Sequence, residues 1–251
     1  MDTEQNEKTK KNLLLKEQEE SRFFELLASR EEINKAELKE TKAHEEDKST
    51  KTIQSPRPYA KKTIEYNPDV LSRVAIQTEK TLSLLGFDTA SEGLKDTPKR
   101  YAQAMMEILS PQEFDFTVFP AGGYDELIVE KRIPFQTFCE HHLLPFYGTV
   151  VVGYLPDDKI VGLSKLVRAV HFFAATLNTQ EYMTQNIANF ISERLNAKGV
   201  GVLVQGVHMC QVMRGAKTPG EMVTSALVGE MKNELLKNEF LKIALSKTEA
   251  F

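Results

Sequence analysis

The chain has 251 residues, 41% hydrophobic and 27% charged, with a formal net charge of −4. That length supports one good-sized core plus a tail, or two small domains, and the near-balanced charge gives no reason to expect nucleic acid or an anionic membrane as a partner. No apolar run is long enough to cross a bilayer and no hydrophobic segment follows a basic start, so a cytoplasmic location is expected.

Residues 1–57 differ in kind from the rest. Met1 to Thr52 carries 14 acidic and 11 basic residues and no glycine. This composition predicts a polar amino-terminal arm, disordered or partly helical. Phe23, Phe24, Leu26 and Leu27 form one apolar patch within it, and Ser55-Pro56-Arg57-Pro58 reads as a linker to a main domain over 58–251. Asn67-Pro68-Asp69 has the cap-then-proline pattern of a helix start, and Gly86 supplies the stop. A second helix is predicted from Asp96-Thr97-Pro98 through Tyr101, Met105 and Ile108, and both helices read as cover for the core.

Strands follow. Glu126 to Ile133 alternates apolar and polar residues, and Tyr147 to Tyr154 is β-branched and aromatic. Ser164–Leu177 and Gln180–Leu195 have helical apolar spacing, Gly199–Met213 alternates again, and Asn233–Leu245 is an amphipathic helix. The order of these elements predicts an α+β fold with an antiparallel sheet.

The chemistry concentrates in two strings. Cys139-Glu140-His141-His142-Leu143-Leu144-Pro145-Phe146 places a thiol and an imidazole at the C-x-x-H spacing that lets two zinc ligands converge from one turn. His208-Met209-Cys210 is expected in a strand, where positions i and i+2 share a face. Both cysteines and three of the five histidines lie in these strings. Two site types fit. A closed structural zinc site would take four protein ligands, whereas a catalytic one takes three and leaves a position for water. In the second case the remaining histidines become proton carriers. The two cysteines are 71 residues apart and give no disulfide framework.

Three further segments suit a nucleotide. Ser164, Lys165 and Arg168 open a predicted helix with a hydroxyl and two cations, a grouping that fits phosphate oxygens and also fits a capped helix with a solvated basic face. Arg214 follows the second metal string directly, and Arg100 offers another cation. Gln180-Glu181 pairs an amide with a carboxylate, which suits the donor edge of a guanine-like ring.

In this order and context the strings resemble GTP cyclohydrolase I, over about Asn67 to Leu245 and most specifically in the Cys139–Phe146 and Gly162–Lys165 strings. The resemblance implies Cys139, His142 and Cys210 as ligands of a zinc ion, and His141 and His208 as catalytic histidines, with His208 protonating the imidazole ring of the purine. It implies Gln180 and Glu181 at guanine, Ser164, Lys165, Arg168 and Arg214 at the triphosphate and ribose, and Arg100 lent by a neighbouring subunit. The implied reaction takes GTP and water to 7,8-dihydroneopterin triphosphate and formate, in folate or tetrahydrobiopterin biosynthesis. It runs through opening of the purine at C8, an Amadori rearrangement and pterin ring closure. The implied architecture is the tunnelling fold, whose sheets join into a barrel across the subunits of a homodecamer. Ala174–Thr179 and Glu221-Met222 depart from the basic or small hydroxylated residues usual in such proteins, on the phosphate side of the pocket.

Overall fold

The computed structural model describes residues 67–246, so the arm expected over 1–57 lies outside the described residues. Helix α1 (Pro68–Leu84) starts as the sequence predicts. The Asn67 side chain accepts a hydrogen bond from the Asp69 amide at 2.9 Å, Pro68 occupies the first turn, and Gly86 takes φ +88° beyond the end. Helix α2 (Thr97–Ile108) buries Pro98, Ala102 and Met106, whereas α1 buries no residue. The buried residues of α2 join neither core cluster of the sheet, and the helix packs chiefly on α1, so the expectation that these helices cover the core is corrected: the two mainly cover each other. Between the two runs a groove of about 810 Å³ lined by Val70, Val74, Ile76, Leu82 and Tyr101.

A two-stranded ribbon pairs β1 (Val118–Pro120) with β4 (Lys159–Val161). The main sheet is built from β2 (Ile128–Cys139), β3 (Pro145–Leu155), β6 (Gly199–His208) and β7 (Met222–Gly229), all antiparallel. Short β5 (Leu177–Asn178) lies parallel to the end of β2, so the strand order is β5-β2-β3-β6-β7. Strand β2 is longer than the alternating segment predicts. Its register shifts between Glu130 and Ile133, where Arg132 takes φ +60°, and the strand then continues to Cys139.

Two helices pack on one face of the sheet, α3 (Leu163–Ala174) and α4 (Gln180–Leu195). Alternate residues Val150, Val152, Val200, Val202 and Val204 form a core with Leu166 and Val170 of α3 and with Met183, Ile187 and Ile191 of α4. On the other face, Val151 and Leu203 pack with Met231 of a 3-10 turn and Phe240 of the last helix (Glu234–Leu245). The Phe240 ring lies across Gly153 and Gly201, which are directly paired; a β-carbon at either would come within 2.6 or 2.9 Å of it. Helix α3 stops three residues short of the expected Leu177. Leu177 and Asn178 pair with Phe138 and Cys139 and are drawn out as strand.

The result is a mixed α/β fold with an antiparallel sheet, packed helices and a leading helical pair. Among the described residues, no helix is long and apolar enough to cross a membrane.

Candidate active site

The site is assembled where β2 turns into β3. The Cys139 amide donates to the Leu144 carbonyl at 2.9 Å, and the Leu143 amide donates back to the Cys139 carbonyl at 2.9 Å. Leu143 takes φ +52° to close this turn. The Glu140 amide donates to the Asn178 carbonyl at 3.0 Å, tying the turn to β5. Asn178 is itself 1% exposed. Its Nδ2 donates to the Phe173 carbonyl at 2.9 Å and to Thr137 Oγ1 at 3.3 Å, while Thr137 donates to the Thr176 carbonyl at 2.7 Å. The turn carrying Cys139, His141 and His142 thus has a buried polar backing.

Cys210 arrives from the opposite strand. Pro145, Phe146 and Tyr147 open β3, and Phe146 pairs with His208 as the last rung between β3 and β6. Beyond that rung the β3–β6 pairing ends, and the chain folds into one helical turn, Met209–Val212, closed by the Met213 amide on the Met209 carbonyl at 2.9 Å. The expectation that His208 and Cys210 share a strand face is therefore corrected: β6 ends at His208, and Cys210 projects from a helical turn.

That turn completes a candidate ligand group. One ligand atom each from Cys139, His142 and Cys210 lies within 4.8 Å of the others, with Cys139 buried and His142 exposed. Among the described residues no fourth histidine, cysteine or carboxylate joins the three. Cys139 Sγ is 3.8 Å from Nδ1 of both His141 and His142. His141 points its other nitrogen to Glu140 at 3.7 Å. Burial pushes the Cys210 thiol up, the adjacent Cys139 sulfur pushes it further, and the charge of Arg214 pulls against both. Two thiols and an imidazole held this close suit a borderline-soft cation such as zinc.

His208 stands apart from the ligands. Its ring stacks on Phe146 at 4.3 Å with planes 6° apart, and its Nε2 lies 3.0 Å from Gln180 Oε1. Burial holds its pKa below the usual imidazole range, with the charge of Glu181 working in the opposite direction. Gln180 is 1% exposed, and Glu181 beside it is exposed at the start of α4. The helix is capped by Thr179, whose hydroxyl accepts from the Tyr182 amide at 3.3 Å.

The phosphate-side residues are placed separately. Gly162, not Ser164, caps α3 and does so without a side chain, which leaves the exposed Ser164 hydroxyl uncommitted to capping. Arg168 lines a cavity of about 490 Å³ with His171, Gln136, Glu107 and Glu113. Arg100 sits on α2 and pairs with Asp96 at 3.1 Å. Thr137, Asn178, Thr184, Thr224 and Gly206 all support the site, and sequence reasoning passed over them. Only Thr184 carried a local signal, lying one helical turn beyond Gln180.

Comparison with known proteins adds an independent line. The model of the family described as GTP cyclohydrolase I matches residues 74–245. A GTP cyclohydrolase 1 of Aquifex aeolicus (strain VF5) is 47% identical over 162 residues, covering 63% of this chain and 88% of that protein. One from Janthinobacterium sp. (strain Marseille) is 46% identical over 176 residues, covering 67% of this chain and 89% of that protein. A third, from Wolinella succinogenes, is 46% identical over 161 residues, covering 62% and 86% respectively.

Proposed function

The chain belongs to the GTP cyclohydrolase I family, and on that premise we propose how its own residues carry out the reaction. The protein is a GTP cyclohydrolase of pterin biosynthesis, a hydrolase acting on GTP. The observation that carries the residue-level reading is the convergence of Cys139, His142 and Cys210 from two sequence-distant turns into one group of three.

We assign zinc to that group. Three ligands with no fourth among the described residues favour a catalytic over a closed structural site, and the donor set of two thiols and an imidazole fits. When bound, zinc would lower the pKa of water and so supply a hydrolytic nucleophile near neutral pH. The chain's residues supply the rest. His208, held against Phe146 and Gln180, delivers a proton to the imidazole ring of the purine. His141, exposed beside Glu140, serves the later proton transfers of ring opening. The Glu181 carboxylate accepts the N–H groups of the guanine edge, with Gln180 behind it. Ser164 and Lys165 at the start of α3, with Arg168 and Arg214, take the triphosphate and ribose.

The tunnelling fold, with sheets joined into a barrel across a homodecamer, belongs to the same proposal. In support, among the described residues β7 is an edge strand, α1 has no fully buried residue, and Ile76, Leu84, Leu85 and Phe87 are exposed. In such an assembly Arg100 reaches a neighbour's site. The zinc and residue assignments are tested on one sample assayed for metal, mass, formate release from GTP and pterin fluorescence after oxidation. Stripping the metal should abolish both products and zinc should restore them. A metal-replete, assembled preparation that forms neither product would overturn the reading.

A further inference from the structure

Gln180 is buried beside the site, and its hydrogen bonds can be assigned without ambiguity. Its Nε2 lies 2.9 Å from the Met222 carbonyl, 3.2 Å from the Val204 carbonyl and 3.1 Å from Thr224 Oγ1. Carbonyl oxygens only accept, so the amide nitrogen must face them and Oε1 must face His208. An amide oxygen also only accepts. His208 Nε2 therefore carries hydrogen, and in the neutral ring Nδ1 carries the lone pair.

The hydroxyls behind Gln180 follow by the same rule. Thr184 donates to the Gln180 backbone carbonyl at 2.6 Å, which uses its single proton. Across the 2.7 Å contact between Thr184 and Thr224, Thr224 must then be the donor. Its oxygen stays free to accept from Gln180. The donor and acceptor roles of both hydroxyls, of the Gln180 amide and of His208 Nε2 are thereby fixed. Gly206 makes the room: a β-carbon there would lie 2.4 Å from Gln180 Oε1 and 3.4 Å from the Phe135 ring.

We propose that Thr224, with Thr184, is a positioning residue for the reaction, acting through the Gln180 amide to fix the ring orientation and tautomer of His208. Thr224 is on β7, Thr184 and Gln180 are on α4, and His208 ends β6, so the network ties three elements to one imidazole. The inference rests on the reading of His208 as a proton-transfer group.

The test compares Thr224→Val, which keeps the shape and removes the hydroxyl, with Thr224→Ser, which keeps the hydroxyl. Each is made in the full-length protein with His208 present and in a His208→Ala background. Thr224→Val should lower kcat roughly tenfold or more with KM within twofold, with metal content and thermal midpoint near those of the parent. Thr224→Ser should recover most of the loss. In the His208→Ala background Thr224→Val should cost almost nothing further, since the group it orients is gone. Gly206→Ala, which pushes on the same amide, should repeat the kcat loss.

Equal losses from Thr224→Val in both backgrounds would make the network merely structural and overturn the proposal. So would unchanged kcat, a rise in KM alone, or loss of metal in both the Thr224→Val and Gly206→Ala proteins. Full turnover in His208→Ala would overturn the reading of His208 itself, which the variant reports separately.

Discussion

Asn178 offers a direct measure of how much the turn carrying the candidate metal ligands depends on its buried backing. Replacing it with alanine removes the donor to the Phe173 carbonyl at 2.9 Å and the weaker bond to Thr137 Oγ1 at 3.3 Å. Thr137 keeps its own bond to the Thr176 carbonyl, so one acceptor is orphaned, not two. An orphaned buried acceptor costs about 1–3 kcal/mol. Loss of the side-chain atoms at a site 1% exposed adds a small cavity, bringing the total to about 2–4 kcal/mol. For a folded region of this size that lowers the thermal midpoint by roughly 5–15 °C. The control is Asn189→Ala, which breaks an exposed i,i+4 bond to Gln185 and should cost under about 0.5 kcal/mol. Asn178→Asp should be at least as damaging as alanine, because its carboxylate keeps the shape but faces the Phe173 carbonyl without a hydrogen to donate. Thermal unfolding of the three variants, each with its metal content measured, decides the matter. An Asn178→Ala protein no less stable than Asn189→Ala, with its metal retained, would refute the idea that this backing holds the turn.

Four other outcomes follow from the same geometry. Cys210→Ser should lose metal and turnover together, and stoichiometric metal in that variant would show the ligand set to be wrong. His208→Ala should keep the metal and suppress ring opening to a low residual rate, since His208 is tied to Gln180 and not to the candidate ligand group; co-loss of metal would contradict this. Metal affinity, measured by chelator competition, should rise with pH, because the Cys210 thiol is pushed up by burial and by Cys139 and must give up its proton to bind. Below that pKa the rise is at least about tenfold per pH unit, and a flat profile would contradict it. Phe240→Ala should cost about 3–5 kcal/mol by emptying the slot over Gly153 and Gly201, read as a lowered denaturation midpoint.

The sequence by itself determined what near neighbours encode. The cap at Asn67 announces its helix because a side chain two residues back satisfies one of the first free amides. Cys139 and His142 declare themselves as candidate ligands because three residues in one tight turn suffice to bring them together. Pairing across the sheet was beyond such signals. The β3–β6 register makes Phe146 and His208 the last rung, and only that choice ends β6 at His208 and swings Cys210 onto a helical turn toward Cys139. The alternation of Gly199–Met213 reads as one continuous strand because it holds no trace of where the partner strand stops. In the same way Leu177 and Asn178 look helical by spacing and become strand through the backbone groups of Phe138 and Cys139. Gln180, quoted in the sequence for its amide, acquires its particular partners only when β6 and β7 bring Val204, Met222 and Thr224 beneath it. Ligand identity is a property of side-chain chemistry at short range. The orientation of His208 is a property of groups that meet only after the sheet has closed.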